Sequence, residues 1–187
     1  MRVLMTGGGT GGHVNPALAI ANTIKKNIPD AEIAFVGTVR GLENQLVPKA
    51  GYKLYHVDVR GIRRSLSLYN IRSLWLAAVS PVKAKKIIKD FAPQVAVGVG
   101  GYASGPTLRM AGKLGIPTLI QEQNSYAGVT NKLLAKDAAK ICVAYEDMER
   151  FFPAEKIMIT GNPVRKEILV ARKSAARRTL GITEDKK

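Results

Sequence analysis

A strand, a glycine turn and a helix follow one another at the start of this chain, MRVLMTGGGTGGHVNPALAIA, and few folds accommodate that order. Val3 to Thr6 is a short apolar run of strand type. Asn15 is a natural N-cap, Pro16 suits a first helical position, and Val14, Leu18, Ala21, Ile24 and Ile28 recur at three- and four-residue steps. The unit recurs in QVAVGVGGYASGPTLRMAGKLG, with a helix opened by Pro106, and in IPTLIQEQNSYAGVTNKLLAK, where the turn is polar. Further strands are predicted at Ile33 to Gly37, Leu54 to Val59, Ile141 to Ala144 and Ile157 to Thr160. Strands alternating with helices predict an α/β fold with a doubly wound, mainly parallel sheet. In such a sheet the strand-to-helix turns share the edge where ligands bind. Gly7 to His13, Gly100 to Ser104 and Gln121 to Tyr126 are therefore expected to converge, with Gly161 to Arg165 as a fourth candidate.

Composition narrows the setting. The 187 residues suffice for one well-buried domain with a tail, here 1–165 followed by a helical, basic connector over 166–187. The single cysteine, Cys142, lies in the apolar run KICVAY and reads as a buried strand thiol in a reducing, cytoplasmic protein. The first residues lack the pattern of a signal peptide, and no apolar stretch approaches the roughly 20 residues of a spanning helix. A formal net charge of +15 points to a polyanionic partner.

The opening glycines fit two phosphate-loop patterns imperfectly. Gly7, Gly9 and Gly12 match the dinucleotide fingerprint between strand and helix, but the second strand ends FVGTVRG without the carboxylate that holds a ribose. Arg40 leaves an NADP-type reading open, so an NAD(P)-binding oxidoreductase domain stands as the alternative. The triphosphate loop needs Lys and a hydroxyl where His13 and Val14 stand. What survives is a turn whose backbone N–H groups approach an anion closely, aimed by a helix N-terminus. His13, at the end of that turn, is a candidate general base near neutral pH, whereas His56 in KLYHVDV reads as structural. No metal-ligand spacing and no cofactor signature is present, so neither metal nor cofactor is expected.

The segments GGTGGHVNPALAIA, VGVGGYASGP, QEQNSYAGVTNKLLA and GNPVR, spread in order from Gly8 to Arg165, together resemble the N-terminal half of the MurG family of peptidoglycan glycosyltransferases. The resemblance implies the N-terminal, Rossmann-like domain of a two-domain GT-B enzyme, with the active site between the halves. It implies transfer of N-acetylglucosamine from UDP-N-acetylglucosamine to a polyprenyl-diphosphate-linked muramyl-pentapeptide, forming lipid II from lipid I. Carried over by motif, Thr10, Gly11, Gly12, Asn124 and Arg165 contact the donor, and His13 deprotonates the acceptor hydroxyl in an inverting displacement. Gly100, Gly101, Tyr102, Ala103 and Ser104 hold the acceptor diphosphate. Gln121 stands where some members have His, and the sequence leaves open whether His13 or Glu122 is the base. The isolated half is expected to be inactive.

The segment RGIRRSLSLYNIRSLWLAAVSPVKAKKIIK carries eight Lys or Arg and no acidic residue. Nucleic-acid binding favours interleaved stacking aromatics, whereas aliphatics around one Trp suit an interfacial membrane patch, so no nucleic-acid partner is expected. The patch is assigned to Arg72, Leu74, Trp75, Leu76, Val79, Lys83, Lys85 and Lys86. At about 1 kcal/mol per cation near an anionic surface, half of the basic residues give roughly 4 kcal/mol. That supports peripheral attachment to a membrane, and the resemblance implies the cytoplasmic face of the plasma membrane.

Overall fold

The computed structural model describes residues 1–59, 68–165, 168 and 173–182, and within its helices the side chains of 68–78 and 173–175 are left aside. Seven strands, β1 (Arg2–Thr6), β2 (Glu32–Gly37), β3 (Lys53–His56), β4 (Val95–Gly98), β5 (Thr118–Glu122), β6 (Lys140–Val143) and β7 (Ile157–Ile159), form one sheet. The helices are α1 (Gly11–Asn27), α2 (Glu43–Lys49), α3 (Leu68–Phe91), α4 (Ser104–Lys113), α5 (Val129–Leu134) and α6 (Lys173–Thr179). Each strand expected from apolar runs is present, with ends shifted by at most a few residues.

All strand pairings are parallel and the order is β3-β2-β1-β4-β5-β6-β7. The order reverses between β1 and β4, where the connections leave in opposite directions and open a crevice beyond the strand ends. The period-2 alternation of a strand sends Leu4 to one face and Val3 and Met5 to the other. Val14, Ala17, Leu18 and Ala21 of α1, with Val47 of α2, cover Val3, Met5, Phe35 and Val97. Ala84, Ile87 and Ile88 of α3, Leu108 and Ala111 of α4 and Leu134 of α5 cover Leu4, Val36, Ala96, Ile120 and Ile141.

One local expectation is corrected. α1 begins at Gly11, not after Asn15, and its N-cap is Thr10 in extended conformation. The reversal after β1 is completed by Gly9, with φ +90°, so the chain enters the helix a turn early. The Thr10 carbonyl accepts from His13 N and Val14 N at 3.2 and 3.1 Å. Pro16 therefore lies inside the helix and removes the bond that the Gly12 carbonyl would otherwise accept. The consequence is functional, because His13 sits on the first turn of α1 rather than on a free loop.

Cys142 is half-buried on β6 rather than enclosed, and burial pushes its thiol pKa up against a hydrogen bond with Thr160 that lowers it. The two-faced core makes a clear expectation for the central strand. Leu4→Ala, at a fully buried site, should cost about 2–5 kcal/mol in urea or guanidinium unfolding of the chain.

Candidate active site

Three strand-to-helix turns meet beyond the ends of β1, β4 and β5 around a hollow of about 380 Å³. Gly8, Gly9, Thr10 and His13 come from the first turn, Gly100, Gly101 and Tyr102 from the second, and Glu122, Asn124 and Gly128 to Asn131 from the third. The first two turns touch without side chains between them. A Cβ at Gly101, whose φ is +83°, would stand 2.5 Å from the Gly8 carbonyl oxygen. A Cβ at Gly100 would stand 2.8 Å from Cδ2 and Nε2 of His13, so that edge of the imidazole lies against the second turn.

The third turn is organised by Glu122, which is only 2% exposed. Its Oε1 accepts from Asn124 N at 3.1 Å and Asn124 Nδ2 at 3.0 Å, and its Oε2 from Gly128 N and Asn131 Nδ2 at 2.9 Å each. With both oxygens engaged by four donors, this carboxylate holds the turn. Arg150 adds a bond to the Ser125 carbonyl at 2.9 Å, and Tyr126 packs edge-on against Phe151 at 4.9 Å. Asn124, its amide nitrogen bonded to Glu122, is exposed and lines the hollow.

Two buried polar atoms without a hydrogen bond, His13 Nδ1 and Asn131 Oδ1, belong to residues lining this hollow. Unsatisfied buried groups are rare in native proteins, and each calls for a partner such as a water, an ion or a ligand. The sequence reading does not single out Asn131, although it lies within QEQNSYAGVTNKLLA; on α5 it is buried on the same face as Leu134.

Other expected site residues fall elsewhere. Ala103 and Ser104 are buried, and the Ser104 hydroxyl donates to the carbonyls of Thr6 at 3.2 Å and Gly100 at 2.8 Å. Ser104 therefore ties the second turn to β1 rather than facing a ligand. Gln121 is turned away from the hollow, bonded to Gln123 and lining a separate groove beside α1. The fourth turn does not join the other three: Pro163 and Val164 line that same groove, and Arg165 is exposed outside the hollow. Gly11 and Gly12 open α1 at the rim. His56 bonds Asn44 Oδ1 at 2.7 Å and is structural, as expected.

A carboxylate does lie just past β2, on Glu43, but it is 0% exposed and bonded to Gly9 and Thr38. It is closed to a ribose diol, which removes the feature a dinucleotide site requires. Among the described residues no group of side chains is arranged to hold a metal ion, and no helix is long and apolar enough to cross a membrane.

Of the membrane patch, Arg72, Leu74, Trp75 and Leu76 lie on α3 with side chains outside the described set. Val79, Lys83, Lys85 and Lys86 are exposed, and Val82 is 70% exposed on the same face as Val79 and Lys83. A bond to Asp90 at 2.7 Å raises the Lys86 pKa above its ordinary value.

A parallel sheet of this order, with three strand-to-helix turns meeting at its switch point, defines a Rossmann-like, doubly wound α/β domain, and sequence comparison narrows it. The chain belongs to glycosyltransferase family 28, whose N-terminal domain model matches residues 3–143. A UDP-N-acetylglucosamine–N-acetylmuramyl-(pentapeptide) pyrophosphoryl-undecaprenol N-acetylglucosamine transferase of Parabacteroides distasonis is 56% identical over all of this chain and 51% of its own length. The transferase of the same name from Clostridioides difficile is 47% identical over all of this chain and 46% of its own length. The chain thus spans about half the length of the curated relatives it matches. The crystal structure of Acinetobacter baumannii MurG superposes with a TM-score of 0.75 at 32% identity, over 88% of this chain and 46% of that one. A UDP-N-acetylglucosamine 2-epimerase from Neisseria meningitidis shares the fold, with a TM-score of 0.67 at 14% identity over 99% of this chain and 55% of that one.

The contact between the glycine turns is testable by contrast within one helix region. Gly101→Ala should lose about 1–3 kcal/mol and displace Gly8, from positive φ and the carbonyl clash. Gly112→Ala, exposed on α4 with open space around it, should instead gain up to about 1 kcal/mol in the same thermal melts.

Proposed function

We propose that this chain is the acceptor-binding, N-terminal half of an inverting N-acetylglucosaminyltransferase. The donor is UDP-N-acetylglucosamine, and the acceptor is a polyprenyl-diphosphate-linked muramyl-pentapeptide. Residues 166–187 lead into a donor-binding half. The names of relatives alike over all of this chain support the substrates. The observation that carries the chemistry is His13, held on the first turn of α1 against Gly100 and lining the hollow where the three turns meet.

In this reading His13 takes the proton of the acceptor sugar hydroxyl as its oxygen attacks the anomeric carbon of N-acetylglucosamine. The bond from that carbon to the UDP oxygen breaks, UDP carries away the electron pair, and the configuration inverts. Glu122 is not the base; its four donors make it the residue that sets Asn124. The N–H groups of Gly100, Gly101 and Tyr102 receive the acceptor diphosphate, while Thr10, Gly11, Gly12, Asn124 and Arg165 meet the donor. The reading needs no metal or cofactor.

Attachment is peripheral, at the cytoplasmic face of the membrane, through α3. Exposed Val79, Val82 and Lys83 support this mixed apolar and basic face. A large apolar side chain buried in the interface adds about 1.5–3 kcal/mol to the electrostatic attraction.

In the full-length enzyme, His13→Ala should lower kcat by about 10²–10⁴-fold while the donor KM moves little; an equal loss in donor affinity and no change in kcat would refute the base. The chain should also co-sediment with anionic liposomes, and replacing Trp75 and Leu76 with Ser and half of the basic residues of α3 should abolish it. Unchanged co-sedimentation would refute the patch.

A further inference from the structure

The three turns around the hollow differ in charge. Under the first, the Glu43 carboxylate accepts from Gly9 N at 2.7 Å, Thr38 N at 2.8 Å and Thr38 Oγ1 at 2.8 Å. Three glycines make room for it, since a Cβ at Gly8, Gly37 or Gly41 would run into its carboxyl group. Gly9 leads straight into α1, so a buried negative group already stands at the positive end of that helix, where sequence alone places an incoming phosphate. In the third turn Glu122 takes the equivalent place before α5. The second turn has no such resident: the N–H groups of Gly100, Gly101 and Tyr102 make no hydrogen bond among the described residues. A phosphate brought onto the first turn would lie close to the Glu43 carboxylate across a glycine backbone, with little water between to screen the two. An uncharged hydroxyl there meets no such repulsion.

We propose that Glu43 is a specificity-determining residue that withholds the first glycine turn from phosphate, so that this turn meets uncharged sugar hydroxyls and the diphosphate is left to the second turn. The names of the ligands rest on the glycosyl-transfer reading; the charge assignment does not. It is tested with inorganic pyrophosphate as the probe, followed by backbone amide shifts of the full-length protein. In the wild type, pyrophosphate should move the amides of Gly100, Gly101 and Tyr102 and leave Gly9 to Gly12 in place. Glu43→Gln keeps the shape and removes the charge, and should let pyrophosphate move Gly9 to Gly12 with affinity there raised at least about threefold. Thr38→Val, which removes one donor and keeps the carboxylate, should behave as wild type. A purely structural Glu43 predicts weaker binding in both variants, the opposite sign. Wild-type shifts at Gly9 to Gly12, or a folded Glu43→Gln protein with no gain there, overturn the proposal; if that variant does not fold, the wild-type and Thr38→Val arms decide it. Absence of transferase activity beside the expected shift pattern would refute the glycosyl-transfer reading and leave the role of Glu43 standing.

Discussion

The site depends on one close approach, the backbone of Gly101 against the backbone of Gly8. β1 and β4 are neighbours only because the sheet order reverses between them, and that reversal brings two turns far apart in sequence to one edge. Side chains at Gly8, Gly100 or Gly101 would push the turns apart or displace the His13 ring or the Glu43 carboxyl group. The imidazole then has a fixed floor, the second turn, and a fixed base, the first turn of α1. Ser104 completes the arrangement by bonding back to Thr6 across the same boundary.

Around that contact, charge is distributed with economy. The two buried carboxylates do not face the hollow as reactants; each gathers backbone and side-chain donors and so fixes a turn. Removing either would leave several buried donors unpaired, which costs about 1–3 kcal/mol per group. Among the described residues, what remains open to a ligand is the His13 imidazole and one turn whose N–H groups make no hydrogen bond. These are the groups on which the proposed glycosyl transfer draws.

The sheet was largely legible because buried parallel strands are apolar runs, and the runs at Val3, Ile33, Val95, Thr118, Ile141 and Ile157 are separated by turn signals. The convergence of three turns followed from the topology rule alone. Three features did not follow. The start of α1 was misread because Asn15 and Pro16 look like a cap, while the actual reversal uses Gly9 at positive φ and leaves Pro16 inside the helix. Glu43 was invisible as a site residue because it reaches the first turn from the start of another helix, and no local pattern announces a contact 34 residues distant. The fourth turn is a candidate for the same edge by the same topology rule, yet Pro163 and Val164 line the groove beside α1.

The most direct test of the account is a crystal structure of the full-length enzyme with a water-soluble analogue of the diphosphate-linked muramyl acceptor. The expected result places the diphosphate on the N–H groups of Gly100 to Tyr102 and the reacting hydroxyl within about 3 Å of a His13 ring nitrogen. An analogue seated in the groove beside α1, or with its hydroxyl on Glu122 and remote from His13, would contradict it.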